Sequence, residues 1–196
     1  ASDVYKRQNQ MKTKLAFLTF LSFLMGTAVT QAQTITPDNK VLVAYYSRSG
    51  NTAAIAGYIH QAAGGDIFEI TPVTPYPDDY RQTTEQAKKE IAAGIRPALK
   101  NKISNLKDYD VIFIGSPCWW GTIASPVATF LAENDFSGKK IIPFMTHGGS
   151  GFGHSLADIR TLAPQAEIIE GEAFYGSRAS NSQNDVNKWI KGLQND

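Results

Sequence analysis

The feature that most constrains this chain is an alternation of short, continuous apolar runs with stretches of helical spacing. VLVAYY over 41–46 is bounded by Lys40 and by Ser47-Arg48-Ser49-Gly50, which is how a strand buried on both faces reads. Residues 51–63 carry apolar side chains at Ala54, Ile55, Tyr58, Ile59 and Ala62 and stop at Gly64-Gly65, the spacing and punctuation of a helix. A short strand is expected over 67–70, a loop with three prolines over 71–79, and a polar helix over 80–93 ended by Gly94. The run VIFIG over 111–115 gives the third strand. A helix over 126–133 follows, with Ser125 as N-cap and Pro126 at its first position. Strands over 140–146 and 166–174 and helices over 155–162 and 185–193 complete the series. Five strands alternating with helices specify an α/β fold, one parallel sheet between two helical layers. No repeat or linker divides it, so a single domain over 40–196 is expected.

The N-terminus reads differently. Residues 1–10 precede Met11 and look non-native. Met11-Lys12-Thr13-Lys14 then leads into an apolar run from Leu15 to about Val29, and Thr30-Gln31-Ala32 offers a small-x-small exit. This is the pattern of a Sec signal peptide over 11–32, cut after Ala32, with 33–39 as a short lead into the domain. The run is shorter than the roughly 20 residues a membrane span needs, and no Cys follows it to take a lipid. The expectation is an exported protein, periplasmic or extracellular, with no stable membrane insertion after cleavage. The sequence has 19 Lys plus Arg against 18 Asp plus Glu. Residues 1–32 hold four of those basic and one of those acidic side chains, leaving 15 against 17 in the domain. No basic excess exists to neutralise nucleic-acid phosphates, and one cysteine, Cys118, excludes a disulfide framework or a multi-Cys metal site.

In open α/β sheets, ligands bind beyond the carboxyl ends of the strands. After the first strand stands Ser47-Arg48-Ser49-Gly50-Asn51-Thr52, entering a helix directly. Hydroxyls, a glycine and exposed helix-start N–H groups make either an anion cradle or an ordinary capped turn. After the third stands Gly115-Ser116-Pro117-Cys118-Trp119-Trp120-Gly121-Thr122, where adjacent tryptophans serve either packing or stacking on a planar ligand. After the fourth stands Thr146-His147-Gly148-Gly149-Ser150-Gly151-Phe152-Gly153, whose main chain is free to meet a flat ligand's edge. The stretch from Gly148 to Ser155 also fits Walker A spacing, but His154 stands where the phosphate-binding lysine belongs, which argues against nucleotide hydrolysis. Lys88, Lys89 and Glu90 read as a solvated helix face.

SxSGNT, GSPxWWG and THGGSGFG in these three places resemble the short-chain, FMN-binding type of flavodoxin-like protein, over about residues 40–193. The resemblance implies strand order 2-1-3-4-5, FMN as cofactor, and electron transfer with a redox partner protein or small-molecule acceptor. It implies that Ser47, Ser49, Gly50, Asn51 and Thr52 hold the 5′-phosphate. Arg48 either helps neutralise the dianion or points to solvent. Pro117, Cys118, Trp119, Trp120, Gly121 and Thr122 would border the isoalloxazine, with Trp119 or Trp120 stacking and the Gly121 carbonyl facing flavin N5. His147, Gly148, Gly149, Ser150, Gly151, Phe152 and Gly153 would meet the pyrimidine edge. Flavodoxins commonly place carboxylates beside the Trp-Gly loop, whereas Thr122, Ile123 and Ala124 follow here, which implies a less negative hydroquinone couple. Two alternatives remain: an NAD(P)H- or quinol-linked quinone-type reductase using FMN, and a flavin-free binding or scaffold domain.

Overall fold

The structure, a computed structural model, describes residues 34–195; the expectations for 1–10 and for the signal segment lie outside them. Strand β1 (Val41–Tyr45) leads to helix α1 (Asn51–Ala63), β2 (Asp66–Glu69) and α2 (Tyr80–Ala93). Then come β3 (Val111–Trp119), the two-residue β4 (Thr122–Ile123), α3 (Ser125–Glu133) and β5 (Lys140–His147). Helix α4 (Ser155–Leu162), β6 (Glu167–Ile168), β7 (Glu172–Tyr175) and α5 (Gln183–Asn195) close the domain. The sheet order is β2-β1-β3-β5-β6, with β7 continuing β6 along β5. These contacts are parallel, and the order is the one implied by the resemblance.

Period-two alternation divides the core. Leu42, Ala44, Ile112, Ile114 and Ile141 face Val127, Phe130, Leu131 and Ile159 on one side. Val43, Val111, Phe113 and Ile142 face Ile55, Ile59, Val186 and Ile190 on the other. Strands β1, β3 and β5 are therefore buried on both faces, and each buried Val, Leu, Ile or Phe side chain contributes roughly 1.5–3 kcal/mol.

Three local departures from the sequence reading have physical causes. The strand expected over 166–174 is split. Ile169 N–H donates to the Ile141 carbonyl, so alternate β5 residues face the fifth strand, and Pro143 on that edge has no N–H to give. Opposite it the chain closes in so tightly that a Cβ on Gly171 would lie 1.9 Å from the Pro143 carbonyl oxygen. Second, Ser125 is not the N-cap. Ala124 takes that place, held extended by its N–H donating to Ser116 Oγ at 2.8 Å. Third, β3 does not end at Gly115. It pairs with β5 as far as Pro117↔Thr146 and then with β4 through Cys118↔Ile123 and Trp119↔Thr122. The residues expected in a loop are thus half strand, half hairpin.

Candidate functional site

The carboxyl ends of β1, β3, β5 and β7 converge on a cleft of about 630 Å³. The segment after β1 forms its floor. Gly50 adopts φ 85° as the N-cap of α1, a left-handed conformation that glycine takes without steric cost. The first N–H groups of this 13-residue helix lack intrahelical partners, and its first turn holds no acidic residue. Ser49, Asn51 and Thr52 line the cleft here. Ser47 Oγ is buried without a hydrogen-bond partner, which costs free energy unless a ligand supplies one. The Thr52 and Thr146 hydroxyls are hydrogen-bonded at 2.7 Å and tie this floor to β5.

Arg48 does not point free into solvent. One guanidinium nitrogen donates to the Pro77 and Asp78 carbonyls, each at 3.1 Å, while the side chain lines the cleft. It fastens the proline loop beside the entrance to α2.

The two tryptophans have different surroundings. Trp119 packs edge-on against Tyr46 and Tyr76, with ring centroids 5.6 and 4.9 Å away. Tyr76 donates to Glu90, whose other oxygen accepts from Gln86. Glu90 is buried, so this part of α2 is not the solvated face expected of it. Burial raises the Tyr76 phenol far above its ordinary value, reinforced by the hydrogen bond to and charge of Glu90. Burial likewise raises Tyr46.

Trp120 and Gly121 are the central residues of the β3–β4 hairpin, with φ 51° and 83°. Both signs match the I′ hairpin turn, which favours Asn-Gly; a tryptophan at the first position costs about 1–2 kcal/mol. The indole Nε1–H donates to the Thr84 carbonyl at 3.0 Å, and Lys88 Nζ lies 4.9 Å from the ring centroid. The ring therefore bridges from the hairpin to α2 and walls the cleft, 52% exposed.

On the β5 side, His147 is buried, and its Nδ1 accepts from Gly149 N–H at 2.9 Å. With Nδ1 engaged as an acceptor, Nε2 is the ring nitrogen left to donate. The Tyr175 ring lies 4.5 Å from it.

Of the sequence-predicted residues, the cleft brings together Arg48, Ser49, Asn51 and Thr52 from the first segment and Pro117, Cys118, Trp119 and Trp120 from the second. His147 and Gly148 join from the third. Ser47, Gly50, Gly121, Thr122 and the stretch from Gly149 to Gly153 are not among its lining. The Gly121 carbonyl, expected to face the cofactor, accepts from His154 N–H at 2.8 Å. Thr122 donates to Asp158, Ser150 Oγ donates to Cys118 Sγ at 3.2 Å, and Phe152 packs against the core. Sequence reasoning missed Thr83, Thr84 and Ala87 on α2 and Gly176 and Ser177 after β7. The last pair was within reach of the rule that strand ends converge; no local signal marked the α2 residues. No carboxylate is among the described residues lining the cleft.

The sequence model of a family described as Flavodoxin matches residues 40–193. The chain belongs to the flavodoxin family. This flavodoxin-family chain is similar to a candidate flavoprotein from Bacteroides eggerthii DSM 20697, 32% identical, with TM-score 0.70 over 80% of this chain and 98% of the other. It is also similar to a flavoprotein in complex with FMN from Lactobacillus acidophilus NCFM, 25% identical, with TM-score 0.59 over 73% and 97%. A curated relative, an NAD(P)H dehydrogenase (quinone) from Bradyrhizobium sp. (strain ORS 278), is 37% identical over 97 residues. That match covers 48% of this chain and 46% of the relative, so the chain spans about half the length of the curated relatives it matches.

Proposed function

We infer that the cleft binds FMN and that the protein takes part in electron transfer. The carrying observation is the floor: the partner-free first N–H groups of α1, entered through left-handed Gly50 and flanked by Ser49, Asn51 and Thr52, in a cleft lined by no carboxylate, with the unpartnered Ser47 hydroxyl buried two residues upstream of Ser49. That donor set fits a phosphate monoester, because free helix-start N–H groups and hydroxyls stabilise a dianion without a lysine. Bound FMN would supply the one- and two-electron chemistry.

The chain's own groups do the rest. Ser47, Ser49, Asn51 and Thr52 would hold the phosphate. Trp120 and Trp119 would border the flat ring and keep water from it. His147 would offer its Nε2–H as a donor at the opposite edge. The FMN complex of the Lactobacillus acidophilus relative supports the cofactor assignment. The same FMN-bound relative argues against the flavin-free scaffold. Titrating purified residues 33–196 with FMN tests this, with quenching of flavin fluorescence at one equivalent as the expected result.

A second reading makes the protein an NAD(P)H-linked, quinone-type reductase. The curated relatives, each an NAD(P)H dehydrogenase (quinone), support it, and exposed aromatic rings at Trp120 and Tyr80 leave a flat second reactant room to approach. Steady-state NAD(P)H consumption with a quinone and bound FMN distinguishes it from a pure carrier.

We further propose export through the segment over 11–32. The support is the Lys-apolar-small pattern of the sequence alone. Mass spectrometry of the protein from its native compartment would find Gln33 as the first residue; a retained leader would contradict cleavage.

A further inference from the structure

The hairpin that carries Trp120 is held from behind by groups of α4 and its lead-in, none of which lines the cleft. The Asp158 carboxylate accepts from the Thr122 hydroxyl and is paired with His154 Nδ1 at 2.7 Å. The His154 backbone N–H donates to the Gly121 carbonyl at 2.8 Å. Gly153 closes the contact: a Cβ there would lie 2.2 Å from that same Gly121 oxygen. Thr122 follows Trp120-Gly121 directly, so the carboxylate fixes the far end of the turn, while β3 fixes the near end. On the cleft side, Thr84 and Lys88 take the indole.

A bulky residue at positive φ persists only where its surroundings over-determine it. Here the restraints come from two directions, and the side-chain hydrogen bonds of the rear set meet at one carboxylate. Hydrogen bonds to an ionised acceptor are stronger than neutral ones, which makes Asp158 the natural anchor of that set.

We propose that Asp158 is a positioning residue of the cleft, acting through Thr122 and His154 to hold the Trp120–Gly121 turn left-handed, with the indole set as the cleft wall. Its consequence for ligand affinity rests on the FMN reading; the positioning itself does not.

The test is the indole region of the ¹H–¹⁵N spectrum of ligand-free protein, which has three tryptophans, Trp119, Trp120 and Trp189. Trp120→Phe identifies the Trp120 signal. Asp158→Ala and Thr122→Val are expected to move that signal while leaving Trp119 and Trp189 in place, and to weaken FMN binding about tenfold. Arg160→Ala, an exposed change on the same helix, leaves both readouts at wild-type values. An unmoved Trp120 signal in both variants overturns the proposal, as does equal movement of all three indoles, which would mark general loosening. Should Asp158→Ala fail to fold, Thr122→Val decides alone, since it removes one hydroxyl at nearly constant volume. Wild-type protein that binds no FMN, with the Trp120 signal still displaced in the variants, refutes the cofactor reading and upholds the positioning role.

Discussion

The Trp120 indole donates its Nε1–H to the main-chain carbonyl of Thr84, 3.0 Å away, joining the β3–β4 hairpin to α2 across the mouth of the cleft. Because Trp120 stands at φ 51°, this contact is kept at a conformational cost, and that separates stability from function. Trp120→Asn suits the left-handed position and removes the ring. Folding stability should hold or rise by up to about 1 kcal/mol. FMN affinity should fall about tenfold or more, equivalent to about 1.4 kcal/mol. Urea denaturation and flavin titration of one preparation measure both.

Ser47 and Thr52 should behave oppositely, although both are small hydroxyl residues in one segment. Ser47→Ala removes a buried oxygen that has no partner, so the ligand-free protein should be unchanged or slightly more stable while FMN binding weakens. Thr52→Val breaks the bond to Thr146 and strands a buried hydroxyl, for about 1–3 kcal/mol of destabilisation. Thermal unfolding without ligand distinguishes the two, and equal losses would show that Ser47 has a structural partner.

Much of the fold was legible because strands buried on both faces leave continuous apolar runs and capped helices leave punctuation. Helices α1, α2 and α4 begin and end where their apolar spacing and flanking glycines, caps or prolines placed them. What escaped depends on contacts distant in sequence. The missing N–H of Pro143 matters only because that edge of β5 faces the fifth strand. Ser125 looked like a cap until Ser116 took the neighbouring N–H. The absence of acids after Gly121 suggested a loop without a carboxylate neighbour, yet α4 brings Asp158 against Thr122. The contact of Arg48 with the proline loop escaped because nothing nearby in sequence reveals that residues 77 and 78 fold back onto it.

That last contact gives a third prediction. Arg48→Ala frees the Pro77 and Asp78 carbonyls and should loosen the loop over 71–79. Hydrogen exchange there and in the first turn of α2 should quicken, with stability falling by about 1–3 kcal/mol. Lysine should rescue only partly, since a single ammonium lacks the guanidinium's fixed fork. Unchanged exchange in the alanine variant would remove the strap role.

Alkaline pH should weaken the fold through Tyr46 and Tyr76. Both phenols are held above the ordinary value of 10.0, chiefly by burial. The folded state therefore keeps these protons more tightly than the unfolded chain. Their contribution is complete below about pH 10 and is lost as pH rises from there toward the folded values. Urea midpoints measured across that range should decline, and Tyr76→Phe should make the decline shallower; an identical slope would exclude Tyr76 as a contributor.

The central claim is that the floor between β1 and α1 is a phosphate cradle for FMN. Isothermal titration of residues 33–196 with FMN and, separately, with riboflavin, which lacks the phosphate, tests it most directly. The expected result is one FMN per chain with riboflavin bound much more weakly, and a gap between them that narrows in Ser47→Ala. Equal affinity for the two flavins, or no binding of either, would contradict it.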